Sequence, residues 1–343
     1  MVTMQDIASR AGVSKSTVSH IMNGRDTALR ISETTRERVM ATAQELGYRR
    51  NGSASAMSLG RFGCAALLTS TRPTYSYVPH SLMQGINSAL GVHDMHLTLA
   101  MLSDEQLTDE NFMPKILREW LVDGLLIDYI RSIPVRLVEM IERHEIPVIW
   151  INAKQAGDCV FPDDYGAGRR ATEHLLELGH RSIAFVDYSH TPSLEQEHYS
   201  AADREHGYRD AMQAARLKPR VIRETGVVPS ADRAAYAKTW LSQPQRPTAV
   251  LTYRQIDHVY MAALDLGLKV PQDLSLMSFG EPDIEFAGIP VTCMTESNEA
   301  IGTQAVQMLL EKIKNPNQIL APATVPFGFQ VGKTCAPLER GGV

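Results

Sequence analysis

Along the first fifty positions, apolar residues recur at the spacing of short helices. Beyond residue 62 they gather in short runs separated by longer amphipathic stretches. In the first region Thr3 stands where it caps a helix over 4–11, with Ile7 and Ala8 inward and Asp6 near the positive end of the helix dipole. Gly12 is the stop, Val13 packs inward, and Ser14 caps a second helix over 15–22 that ends near Asn23-Gly24. Ser32 caps a third, in which Thr35, Val39, Ala43 and Leu46 share a face before the Gly47 stop. Helix, glycine turn, helix within about twenty residues is the helix-turn-helix layout, whose second helix enters the major groove of DNA.

The later region reads as strands at 64–69, 96–101, 124–128, 148–151, 183–187, 221–224, 249–252 and 274–278. Helices fall between them, at 82–90, 135–144, 168–178, 203–215, 231–241 and 257–266. Alternation at that pitch predicts doubly wound α/β structure with parallel sheets. In such sheets ligands sit beyond the carboxyl ends of the strands.

Charge sharpens the division. The chain of 343 residues carries a net charge of −5, an argument against nucleic acid if it were spread evenly. Residues 1–61 hold nine basic and five acidic groups, a balance of +4 that leaves −9 for the rest. A basic head on an acidic body is expected when only the head meets phosphate. On the second helix Val18 and Ile21 face the core, which turns Lys15, Ser16 and His20 outward as candidate base readers. Ser14, Thr17, Ser19 and Asn23, with Thr3 and Tyr48 at the flanks, suit phosphate contacts, which position the head without reading sequence.

Other features narrow the picture. No apolar run approaches the ~20 residues of a membrane span, and the N-terminus lacks the pattern of a signal peptide. Cys64, Cys159, Cys293 and Cys335 lie far apart without metal-ligand spacing, as expected of reduced thiols in a cytoplasmic protein. His93 and His96 flank Asp94 without a third ligand nearby, so no metal is expected. Gly166-Ala167-Gly168-Arg169-Arg170-Ala171 fits G-x-G-x-x-A, with Asp187 about twenty residues on, the outline of an NAD-dependent oxidoreductase. Against that alternative, Phe161-Pro162-Asp163-Asp164-Tyr165 precedes the motif where an apolar strand is needed, and two carboxylates would repel a pyrophosphate. No triad or paired-carboxylate arrangement is visible, so neither an enzyme nor a cofactor is expected.

The wording of the head is more specific than its pattern. Asp6-Ile7-Ala8, Ala11-Gly12-Val13-Ser14, Ser16-Thr17-Val18-Ser19, Asn23-Gly24, Thr35-Arg36 and Glu45-Leu46-Gly47-Tyr48 resemble the head of the LacI/GalR (lactose-repressor) family in fixed register. The resemblance implies a repressor binding a palindromic operator as a homodimer. It also implies a hinge in which Asn51 and Ala54 match and Met57 stands where a leucine wedges into the minor groove. Arg50 and Ser55 depart from the hinge pattern, and Gly52 weakens a helix there by ~1 kcal/mol.

In the body, Val122-Asp123-Gly124-Leu125-Leu126, Asp163-Asp164-Tyr165, Leu178-Gly179-His180-Arg181 and Arg204 with Gly207-Tyr208 are similar to the family's two-lobed, periplasmic-binding-protein-like unit. The implied organisation is a helix-turn-helix domain over 1–49, a hinge over 50–61 and an effector-binding and dimerisation domain over 62–338. One lobe would comprise 62–157 and 292–322, the other 158–291 and 323–338. The resemblance places a small polar effector, a sugar or sugar derivative, between the lobes, with Arg204 gripping it and Tyr75 and Tyr77 as stacking walls. Where the family has Asn-Asp and Phe-Asp-Asp, this chain reads Tyr253-Arg254-Gln255 and Phe279-Gly280-Glu281. Arg254 and Glu281 therefore join the expected effector set, and an anionic or substituted sugar is favoured over a plain neutral one.

Overall fold

The structure is a computed structural model that describes residues 2–22, 31–49, 60–72, 75–109, 112–119, 121–188, 198–223, 229–254 and 256–338. By its contacts the chain falls into two units, residues 1–63 with 121–123, and residues 64–120 with 124–343.

The first unit is built on α1 (Met4–Ala11), α2 (Lys15–Met22) and α3 (Glu33–Glu45). Local chemistry fixes each start. Thr3 and Asp6 form a reciprocal capping box, Ser14 Oγ accepts from the Thr17 amide at 3.1 Å, and Ser32 Oγ accepts from the Thr35 amide at 3.3 Å. Each such cap contributes ~1 kcal/mol. Gly12 ends α1 at φ 66°, a conformation that costs other residues strain, and so turns the chain directly into α2. Ile7, Ala8, Ala11, Val18, Ile21, Val39 and Ala43 form the core, with Val13, Leu46 and Tyr48 packed on its edge.

The second unit contains two six-stranded sheets. The first has β1 (Cys64–Ser70), β2 (His96–Leu102), β3 (Gly124–Asp128), β4 (Val148–Ile151), β5 (Cys159–Pro162) and β13 (Ala323–Val325). They lie in the order β13-β5-β4-β3-β1-β2, every pair parallel. The second has β6 (Ile183–Asp187), β7 (Arg220–Arg223), β8 (Ala249–Thr252), β9 (Ser275–Gly280), β12 (Thr292–Thr295) and β14 (Gly328–Gln330). Their order is β14-β12-β9-β8-β6-β7, and only β14 runs antiparallel. A two-stranded ribbon, β10 (Glu285–Phe286) with β11 (Ile289–Pro290), lies outside both sheets.

The helices are α4 (His80–Val92), the single-turn α5 (Lys115–Arg118), α6 (Val135–Arg143), α7 (Asp164–Glu177), α8 (Tyr199–Ala214), α9 (Arg233–Leu241), α10 (Asp257–Asp265) and α11 (Asn298–Lys314). Each sheet has its own core. Leu67, Ile86, Leu126, Ile149 and Leu309 meet in the first lobe, and Phe185, Tyr208, Leu251, Met277 and Phe279 in the second.

The expected lobe boundaries each fall one strand early. β5 (159–162) belongs to the first sheet, β12 (292–295) to the second and β13 (323–325) to the first. The physical reason is that the chain crosses between lobes only after a strand has run to its carboxyl end, so all three crossings lie at strand ends. They fall near 163, 296–298 and 326–327.

Candidate functional site

In the first unit, Lys15 and Ser16 are exposed at the amino end of α2, where the helix dipole also favours anions, and His20 is half-buried in its last turn. Ser14 Oγ lies 2.8 Å from both Ser16 Oγ and Thr17 Oγ1, so three hydroxyls cluster at that helix start. Ser19 is half-buried on the same helix. Thr3 Oγ1 donates to the Asp6 carboxylate at 2.8 Å, which engages that hydroxyl in the capping box. Tyr48 is half-buried against the core. Asn23 and the hinge positions Asn51, Ala54 and Met57 lie outside the described residues.

In the second unit the carboxyl ends of both sheets line one cavity. From the first lobe come Tyr77 after β1, Arg131 after β3, Asn152 after β4 and Asp164 after β5. From the second come Tyr253 and Arg254 after β8, and His198, Ser200 and Arg204 from the start of α8. Glu296 and Asn298 close it from the crossing after β12. Tyr77, Arg254 and Glu296 also line a neighbouring cavity of about 350 Å3, together with Phe279, Ile284 and Phe286. That volume is within the range of small-molecule sites.

Arg204 is the centre of the arrangement and only 3% exposed. Nε donates to Asp164 Oδ1 at 2.6 Å, Nη2 to Glu296 Oε1 at 3.1 Å and Nη1 to the Tyr253 carbonyl at 3.2 Å. Its guanidinium carbon lies 4.6, 5.0 and 5.2 Å from the ring centroids of Phe279, Tyr253 and Phe327. Asp164, Glu296 and Phe327 stand on the three different crossings, so one side chain ties together every connection between the lobes. Burial pushes the Asp164 carboxyl up to about 6 against the pull of Arg204. At Glu296 burial acts the same way, but Arg204 and Arg254 outweigh it and hold the carboxyl below its ordinary value.

A polar chain runs alongside. Tyr253 Oη lies 2.7 Å from Ser200 Oγ, which lies 2.7 Å from His198 Nδ1. His198 Nε2 lies 3.0 Å from the Asn152 carbonyl, which only accepts, so Nε2 carries the proton and Nδ1 accepts. Burial lowers His198 to about 4, and the ring is neutral near pH 7. The Tyr199 hydroxyl donates to Asn152 Oδ1 at 3.0 Å, a second link between the lobes.

The expected effector residues separate into three groups. Tyr77, Arg204 and Arg254 line the cavities, and the Arg254 guanidinium sits 5.1 Å from the Tyr77 ring centroid. Glu281 lines neither cavity. Its carboxylate accepts from Tyr77 Oη at 3.0 Å, Ser81 Oγ at 3.1 Å and Asn298 Nδ2 at 2.7 Å, and so latches the two lobes. Tyr75 also lines neither cavity; its hydroxyl accepts from Arg72 Nη1 at 3.3 Å and its ring meets the same guanidinium.

Sequence reasoning missed Arg131, Asn152, His198, Ser200 and Glu296 as members of the site. Their common signal is position just past a strand end or at a helix start, which the strand pattern gives only where the strand itself is recognised. The dinucleotide outline dissolves for a different reason from the one expected. A strand does precede it, β5, but α7 begins at Asp164, so Gly166 and Gly168 lie inside a helix and form no phosphate loop. A Cβ on Gly168 would come within 2.1 Å of the Arg204 carbonyl, and one on Gly207 within 2.2 Å of the Tyr165 carbonyl. These glycines let α7 and α8 cross closely. Among the described residues no group of three metal-ligating side chains occurs, and no helix is long and apolar enough to cross a membrane.

Comparison with known proteins recognises both regions of the chain. Residues 3–51 match the family described as bacterial regulatory proteins, lacI family, and residues 172–335 match a periplasmic binding protein-like domain. The ribose operon repressor of Haemophilus influenzae is 30% identical over 335 residues, covering 93% of this chain and 94% of that protein. The HTH-type transcriptional repressor PurR of Vibrio campbellii is 29% identical over 328 residues, covering 92% and 93%. Among solved structures, the lac repressor dimer bound to operator and the anti-inducer ONPF superposes with a TM-score of 0.73 at 21% identity, covering 98% of this chain and 99% of that one.

Proposed function

This chain belongs to the lacI family of bacterial regulatory proteins, DNA-binding repressors with a small-molecule effector, and from that membership we propose how its two sites divide the work. The head reads a palindromic operator as one of a homodimeric pair, and the interlobe cavity holds a sugar or sugar derivative that sets operator affinity. The observation that carries the reading is the capped helix-turn-helix with Lys15 and Ser16 exposed at the start of α2.

In this reading Lys15, Ser16 and His20 meet base edges. Ser14, Thr17, Ser19, Asn23, Tyr48 and Thr3 meet phosphates, and the hinge positions Asn51, Ala54 and Met57 meet the minor groove. The relatives are transcriptional repressors, and no catalytic step is assigned to the chain, which works in the cytoplasm where its DNA lies. Arg204 serves chiefly as the hinge tie through which cleft closure is felt. An effector changes operator affinity only by binding the DNA-competent and incompetent states unequally, and a tie across all three crossings is placed to distinguish them. Selection of bound sequences from a random duplex pool should return an inverted repeat; a pool that stays unenriched overturns the reading.

A further inference from the structure

The geometry points to an effector that carries an anionic group, a monosaccharide-sized polyol bearing a carboxylate or phosphate, with Arg131 as the residue that receives the anion. This deepens the effector reading above and rests on it.

Arg204 donates from all three of its nitrogens to protein acceptors, two of them carboxylates, so its charge is neutralised in place. Ser200, Tyr253, His198 and Asn152 are joined to one another. Glu281, just outside, is satisfied by three neutral donors. Two buried atoms on the cavity-lining residues remain without a hydrogen-bond partner, Arg131 Nε and Asp164 Oδ2. A buried polar atom left unpaired is costly, the more so if charged, so a ligand that pairs both gains affinity. Asp164 Oδ2 is an acceptor and takes a hydroxyl. Arg131 is a donor with a fixed charge and, among the described residues, no ion-pair partner; its planar fork fits a carboxylate or phosphate.

The charges agree. The cavity holds three guanidinium groups, Arg131, Arg204 and Arg254, against the carboxylates of Asp164 and Glu296, both engaged by Arg204. His198, which feels all three cations, is neutral and adds nothing. In the larger neighbouring cavity Arg254 faces Asp257, Glu285 and Glu296, so that side repels an anion. The anionic end therefore belongs at Arg131.

The test uses the full chain and isothermal titration with matched sets: D-ribose, D-ribonate and D-ribose 5-phosphate, and D-glucose, D-gluconate and D-glucose 6-phosphate. At least one anionic compound should bind tenfold or more tightly than its neutral parent. That preference should fall at least tenfold in Arg131→Met, whose unfolding midpoint is measured alongside to show that the fold is kept. Arg254→Met, at an exposed position, should reduce the preference less. Neutral sugars binding as tightly as their acids and phosphates would overturn the inference while leaving the effector reading intact. So would an anionic preference undiminished in Arg131→Met. No binding by any member of either set would overturn the inference together with the reading beneath it.

Discussion

Removing the Arg204 guanidinium, as in Arg204→Met, takes the counter-charge from Asp164 and Glu296, which are 1% and 8% exposed. Breaking a buried pair by deleting one partner costs ~3–5 kcal/mol, because the remaining charge is left in a poorly solvating site. Two carboxylates share this one cation, so the loss should sit at the upper end, a large part of the ~5–15 kcal/mol that holds a domain together. The cost depends on pH in a defined direction. Without Arg204 both carboxyls take folded-state values above their unfolded ones, so the variant regains stability as they are protonated on acidification. In the native chain Glu296 is held low and contributes across the same range. The gap between native and variant protein in urea unfolding should therefore be widest near pH 8 and narrow towards pH 5. Adding Asp164→Asn and Glu296→Gln to Arg204→Met should recover much of the loss. A gap under about 1 kcal/mol, or one that widens on acidification, would refute the view of Arg204 as a buried tie.

Asp128, fully buried at the end of β3, is pushed up to about 7 by burial, only partly opposed by the Tyr77 amide at 3.0 Å. Its folded value exceeds its unfolded one, so stability falls as pH rises between about 4 and 7, at ~1.4 kcal/mol per unit. The native-minus-Asp128→Asn difference in unfolding free energy should follow that slope from pH 5 to 7 and flatten above pH 8; a flat difference throughout would count against a buried titrating group. His198 works in the opposite sense: depressed to about 4, it supplies stability above pH 6.5 that fades as pH falls towards 4, a slope His198→Gln should remove from urea titrations. Gly168→Ala should cost ~1–3 kcal/mol by forcing α7 away from α8, measured by thermal unfolding, and a neutral result would deny the close approach. Lys15→Ala should relax preference at one base pair per half-site by ~1–3 kcal/mol in operator titrations; uniform weakening across all sequences would make Lys15 a phosphate contact instead.

What could be read from the sequence follows how local each interaction is. The head was legible almost residue by residue, because Thr3, Gly12, Ser14 and Ser32 act within three or four positions of themselves. The body's alternation was legible too, and eight strands lie where the apolar runs fall. β5 and β12 escaped: each has four residues, one ends in proline and the other mixes threonine and cysteine with a single Met. The first turn of α7 escaped because Gly166 and Gly168 lower helix propensity, while the Asp163 cap and the packing on α8 restore it. Missing β5 and β12 hid the crossings, and with them the partners of Arg204. Asp164 and Glu296 lie 40 and 92 residues from it in sequence, a separation no periodicity spans. The resemblance picked out Arg204 as an effector residue, and the structure adds that its guanidinium is held by Asp164, Glu296 and the Tyr253 carbonyl. Its importance was legible because arginine there is part of a recognisable phrase. Its protein partners were not, since they depend on which carboxylates the fold brings to it. The same holds for Arg131, unremarkable in sequence, whose significance comes from a nitrogen left without a partner in a cavity where nearly every neighbour has one.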